Sequence, residues 1–153
     1  MNSFFDVIEE LSKSRKIRDG KLEDAIYEII EKAASAMNAQ RVNAWIYNAD
    51  YSQIHCIGNY DLEKLQLTSQ SDLPRVAMPK YFKLFETEKI IATHDAIQNP
   101  QTDELLEIYL KPNHIKSLMD IPMRIEGEII GVVCFENTKT QHQWTEEEKN
   151  SVW

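Results

Sequence analysis

The sequence predicts an α/β (α+β) fold, and three observations predict it. Apolar residues recur at helical spacing up to Met37, the period switches to two from Arg41, and Glu126-Gly127 joins two strand-like runs near the end. At 153 residues the chain has the size of one domain, long enough to bury a core without disulfides or a structural metal.

Phe4, Val7, Ile8 and Leu11 mark a first helix, which Asp19-Gly20 interrupts. A second helix carries Leu22, Ile26, Ile29, Ile30, Ala33 and Met37 on one face, with most of its charges off that stripe. One such stripe docks on a sheet; two helices at the chain start can also extend a parallel pair into a homodimer. From Arg41 to Asn48, Val42, Ala44 and Ile46 alternate with Asn43, Trp45 and Tyr47, a strand with both faces occupied. Residues 49–52 form a turn, and residues 53–60 return as a second strand. The polar stretch 61–75 predicts mainly loop, with a short strand at 65–68. Pro79 suits the first turn of a short helix bearing Tyr81, Phe82, Leu84 and Phe85. Residues 90–93 predict a short buried strand and Asn99-Pro100 a turn. Thr102 is expected to cap a helix through Leu110, ended by Pro112-Asn113.

Residues 115–125 and 128–136 form the closing hairpin, where Gly127 suits a two-residue turn. Residues 129–135 are continuously apolar, so that strand belongs at the centre of the sheet, and Gly131 within it marks close approach of another backbone or helix. Thr145 caps a final helix with an acidic first turn. The chain stops at Trp153 in the first turns of that helix, which predicts that further chain follows in the full protein.

Seventeen Lys and Arg against twenty-five Asp and Glu give a net charge of -8, which argues against a nucleic-acid footprint. The basic stretch at 13–18 reads as a solvated helix end. No run approaches the length of apolar chain that spans a bilayer, and the N-terminus lacks the pattern of a signal peptide, so a cytoplasmic protein without a membrane partner is expected. Cys56 and Cys134 lie in apolar runs as small buried hydrophobes, with no CxxC or Cys/His spacing for zinc. His55, His94, His114 and His142 form no cluster with ligand spacing, and no metal is expected.

Taken in order, several segments resemble the GAF domain family. They are Arg41-Val42-Asn43-Ala44-Trp45-Ile46-Tyr47, Ile90-Ile91-Ala92-Thr93-His94-Asp95-Ala96, Asn99-Pro100, Ile115-Lys116-Ser117-Leu118-Met119-Asp120-Ile121-Pro122-Met123, Gly127, Ile130-Gly131-Val132-Val133 and Trp144-Thr145-Glu146-Glu147-Glu148. The resemblance implies a central, mostly antiparallel sheet. It puts the N- and C-terminal helices on one face and short helices and loops over a small-molecule cavity on the other. It divides the chain into N-terminal amphipathic helices at 1–38 and a GAF domain at 39–153. It further implies a non-catalytic sensory or dimerisation module in bacterial signal transduction, joined to an output domain after Trp153. A sensor histidine kinase comes first, since residues 8–22 look most similar to the leader of kinase-associated members, and a diguanylate cyclase next. The pocket candidates for an unidentified small molecule are Tyr60, Tyr81, Phe82, Thr93, His94, Asp95, Tyr109 and Met119.

Each ligand known for the family meets a specific obstacle. Bilin-binding members attach the chromophore to a cysteine over the pocket; residues 102–114 hold none, and His55-Cys56 is reversed and on a strand. Cyclic-nucleotide binders carry Asn-Lys, then Phe, then Asp-Glu; here Asn137-Thr138 breaks the first, Trp144 stands for Phe, and Glu148-Lys149 keeps half of the last. A reductase of the family needs clustered thiols, whereas Cys56 and Cys134 fall on separate strands. Haem requires one axial histidine, for which His94 is the candidate, although a histidine bonded to Asp95 or to backbone is the commoner arrangement. Asp95 and Asp120 are a conceivable acid–base pair, with Asp120 equally able to bond a neighbouring loop. Glu136 and Asn137 are expected to satisfy loop groups at a strand end. The aromatic set of Tyr60, Tyr81, Phe82, Phe85 and Tyr109 either lines an apolar pocket or packs as ordinary core. The rival reading of the whole chain is accordingly a structural dimerisation module with a filled cavity.

Overall fold

The computed structural model describes residues 21–37 and 39–151. The predicted first helix at 4–11, the Asp19-Gly20 break and the basic stretch at 13–18 lie outside them, as do the side chains of Leu22, Ile26 and Ile29.

Helix α1 (Lys21–Met37) leads into β1 (Arg41–Tyr47) and β2 (Gln53–Asp61), followed by the short strands β3 (Gln66–Thr68) and β4 (Leu73–Pro74). A 3-10 turn (Arg75–Ala77) and helix α2 (Pro79–Thr87) precede β5 (Ile91–Thr93). A 3-10 segment (Pro100–Leu105) runs on as a single π-helical turn (Leu106–Leu110). The long hairpin of β6 (Ser117–Ile125) and β7 (Glu128–Asn137) and a final helix α3 (Glu146–Ser151) complete the order. The sheet runs β3-β2-β1-β7-β6-β5, with β4 also on β2, and every pairing is antiparallel. The predicted central place of residues 129–135 holds: β7 lies between β1 and β6.

The β6–β7 turn is Glu126-Gly127, with φ of 52° and 82°. Two consecutive positive φ angles match the twist of a two-residue hairpin. Gly131 is needed for a close approach by backbone: a Cβ there would sit 2.0 Å from the Trp45 carbonyl oxygen of β1. Gly58 does the same for a side chain, since its Cβ would lie 2.3 Å from the Tyr27 ring of α1.

The sheet separates two apolar clusters. On one face Ile30, Ala34 and Met37 of α1 meet Val42, Ala44, Ile121, Val133 and Phe135, with Trp144 at the root of α3 packed against the same cluster. On the other, Trp45, Cys56 and Cys134 of the sheet are covered by Tyr81, Phe82 and Phe85 of α2 and by Leu105, Tyr109 and Leu110. Burying each such large side chain contributes roughly 1.5–3 kcal/mol. Alternation along β1 sorts its side chains as predicted, Val42 and Ala44 to the α1 face, Trp45 to the other.

One element departs from expectation. Residues 102–110 do not form an α-helix capped by Thr102. Asn99 is the cap, its Oδ1 accepting from Gln101 N at 2.8 Å. Thr102 is instead buried, donating its hydroxyl to Ala96 O at 2.8 Å, which ties the 3-10 segment to the preceding loop.

Candidate functional site

On the face covered by α2, three strands raise polar side chains into an otherwise apolar interior. Arg41 and Asn43 come from alternate positions of β1, Asn59 from β2 and Glu136 from β7. In register Arg41 lies opposite Glu136, and Asn43 opposite Asn59. The Arg41 Nε sits 3.2 Å from Glu136 Oε1, an ion pair whose Glu136 side chain is fully buried. Asn43 Nδ2 donates to Glu136 Oε1 at 3.0 Å and to Asn59 Oδ1 at 3.1 Å, while Asn43 Oδ1 accepts from Trp45 Nε1 at 2.6 Å. The outer nitrogens of Arg41 reach two loops, NH1 donating to Asn113 Oδ1 at 2.8 Å and NH2 to Gln70 Oε1 at 2.9 Å.

The covering segments are latched to this floor by two phenols. Tyr109, from the π turn, donates to Glu136 Oε2 at 2.5 Å. Tyr81, from α2, donates to Asp120 Oδ2 on β6. The N-terminus of α2 is itself held by Glu104, which accepts from Tyr81 N at 2.6 Å and Lys80 N at 3.2 Å. Single π turns recur at functional sites.

Burial pushes Glu136 up from its ordinary range, with Arg41, Tyr109 and Asn43 pulling the other way. It pushes Asp120 well up, helped by the charge of Glu136. Asp120 Oδ1 is buried, with the Cys134 thiol beside it. Burial likewise drives Cys134 well up and Cys56 to about 11, which keeps both as thiols and poor nucleophiles. The arrangement can fix the roof of this face to its floor and present hydrogen-bonding groups. It offers no activated nucleophile.

The eight predicted pocket residues fall into three places. Tyr81, Phe82 and Tyr109 cover the polar floor, all buried. Thr93, His94 and Asp95 instead line an open cleft of about 450 Å³ at the β5 edge, together with Asn99, Trp144 and Lys149. Tyr60 and Met119 belong to the α1-side cluster, because strand alternation turns them away from Asn59 and Asp120. No single cavity can therefore hold all eight. Asp95 and Asp120 are likewise apart, one at the cleft, the other buried beneath Tyr81. Glu136 does not serve loop groups as expected but carries the buried ion pair. The sequence offers Arg41, Asn43 and Asn59 no site role and Glu136 only a loop-bonding one. The available signal was that Arg41, Asn43 and Trp45 share one face of a strand, which sets two polar groups beside a core tryptophan. Among the described residues no group of three His, Cys, Asp or Glu side chains is arranged to hold a metal ion. No described helix is long and apolar enough to cross a membrane.

Solved structures share this architecture at low identity. The blue-light-absorbing form of the PixJ GAF domain from Thermosynechococcus elongatus is 18% identical, with a TM-score of 0.71 over 89% of this chain and 82% of that one. The phycocyanobilin-bound GAF domain of a cyanobacterial phytochrome is 17% identical, with a TM-score of 0.70 over 99% and 88%. The GAF domain of an Acinetobacter phosphoenolpyruvate-protein phosphotransferase is 12% identical, with a TM-score of 0.64 over 99% and 87%. At these identities the likeness speaks to fold alone. No curated protein matches in sequence. The family model described as GAF domain matches residues 21–152. With that match over most of its length, and with helices and loops covering one face of an antiparallel sheet, the chain belongs to the GAF domain family.

Proposed function

We propose that this chain is a non-catalytic sensory module in which a small molecule on the α2-covered face alters the packing of the terminal helices. The observation that carries the reading is the position of the buried ion pair. Arg41 follows Gln40, whose Oε1 accepts from Thr138 N, from Thr138 Oγ1 at 3.2 Å and from Lys139 N at 2.9 Å. Glu136 lies two residues before Thr138 on the other side of that clamp. A ligand that disturbs Arg41–Glu136 thus acts next to the residue joining the exit of α1 to the approach of α3. Such coupling requires only that the ligand favour one of two packings.

The biological setting of this proposal is a cytoplasmic homodimer driving an attached output domain, a histidine kinase first and a diguanylate cyclase second. Its basis is the family resemblance and the leader at 8–22. Bilin attachment is not part of it, since Cys56 and Cys134 are buried on strands.

Thermal-shift screening of the full chain against nucleotides, amino acids and haem tests the sensory part, because a compound that binds only the native state raises Tm. A raised Tm that is lost in Asn113→Ala is expected. The rival, a structural dimerisation module, draws support from the filling of the face by its own Trp45, Tyr81, Phe82 and Phe85, each at most 3% exposed. If no compound raises Tm while sedimentation shows a dimer, the rival stands. A monomer at high concentration sinks the dimer part of both.

A further inference from the structure

The cleft beside β5 has walls of different origin. Thr93, His94, Asp95 and Asn99 belong to the body of the domain, whereas Trp144 and Lys149 belong to the root of α3.

That root braces itself. Thr145 Oγ1 accepts from Glu148 N at 3.1 Å and Glu148 Oε1 accepts from Thr145 N at 2.9 Å, a reciprocal capping box. His142 Nε2 bonds Glu148 Oε2 at 2.8 Å, and its ring stands edge-on to Trp144 with centroids 4.6 Å apart. The root's bonds to the body are longer: Trp144 Nε1 donates to Thr93 O at 3.3 Å and His142 N to Ser117 Oγ at 3.2 Å. Both lie at the long end of the hydrogen-bond range. The root is therefore braced within itself and meets the body through two long hydrogen bonds and the packing of the half-buried Trp144 indole on the α1-side cluster.

The two walls also carry opposite charges. Asp95 stands on the body wall, with Oδ1 accepting from Gln98 N at 3.3 Å. Lys149 stands on the root wall, paired at 3.3 Å with Glu146, whose side chain is 84% exposed. Such a pair contributes little and yields readily to a better partner. Gln98, Asn99 and Gln143 also line the cleft.

We propose that this cleft is a binding site for a small zwitterion of amino-acid type, its ammonium group on Asp95, its carboxylate on Lys149 and its chain along Trp144. The cleft, of about 450 Å³, has room for a molecule of that class together with water. A simple anion would leave Asp95 opposed to it, and a simple cation would leave Lys149 opposed. Because the ligand bridges the walls, it binds best when they stand at one separation, and so selects one position of the α3 root. The site is separate from the α2-covered face and does not depend on a ligand there.

The test is titration of the 15N-labelled full chain with glycine and 4-aminobutyrate, and with methylammonium and acetate as half-probes. The Trp144 indole N–H resonance, assigned through Trp144→Phe, is the reporter. Saturable shifts with at least one zwitterion are expected, with the half-probes tenfold weaker or worse. Asp95→Asn and Lys149→Met each lose tenfold or more, while their unliganded Tm stays at the wild-type value. Acetate titrating as well as the zwitterions reduces the cleft to an anion site and overturns the proposal. So does a shift that persists in both variants, which places the ligand elsewhere, or no shift with any probe.

Discussion

At the scale of single residues, the buried pair of Arg41 and Glu136 dominates the chemistry of the interior. Glu136→Ala leaves a desolvated guanidinium without its counter-charge and is expected to cost about 3–5 kcal/mol in urea unfolding. Arg41→Met combined with Glu136→Leu removes both charges and is expected to restore much of that loss. Asp120 predicts a pH dependence of definite sign. Its folded pKa is raised well above the ordinary 3.8, so the folded state holds this proton more tightly than the unfolded chain does. The associated stability is complete below the unfolded pKa and is lost as pH climbs towards the folded one. Wild-type stability is expected to fall from about pH 4 upward through this group, and Asp120→Asn, which keeps an acceptor for Tyr81, to flatten that slope. Urea titrations of both proteins across the pH range decide it; parallel curves would refute the assignment to Asp120.

Among elements, the two glycines of the closing hairpin separate two physical demands. Gly127→Ala meets open space and is limited by its φ of 82°, so a loss of about 1 kcal/mol is expected. Gly131→Ala places a Cβ 2.0 Å from the Trp45 carbonyl oxygen, which requires β1 and β7 to part. A loss of several kcal/mol, or no folded protein, is expected, because backbone cannot yield as a side-chain end does. Both hairpin features were legible beforehand: the turn from Glu126-Gly127, and the close approach from a glycine within an unbroken apolar run. The 3-10 and π turns at 100–110 were not. The apolar spacing of Leu105, Leu106, Tyr109 and Leu110 does not distinguish these geometries from an α-helix, and the buried hydroxyl bond from Thr102 to Ala96 joins residues whose pairing the sequence does not mark.

Across the whole molecule, Gln40 links the approach to both terminal helices through one amide oxygen. Gln40→Ala is expected to speed hydrogen exchange at 138–145 while leaving α2 protected, since that amide oxygen bonds Thr138 and Lys139 at the approach to α3. Equal acceleration everywhere would mean global destabilisation and no linkage. By itself the sequence determined the α+β class, the central position of β7 and the sorting of β1 side chains, because those follow from periodicity and turn chemistry that each segment carries locally; the family rested on the ordered set of motifs that resemble it. Only the tertiary structure decided what shares a site. It turned Tyr60 and Met119 to the α1 face, moved Thr93, His94 and Asp95 to an edge cleft, and joined Arg41 to Glu136. Strand register and the path of the covering segments set such pairings, and neither is written in the spacing of residues that lie 95 positions apart.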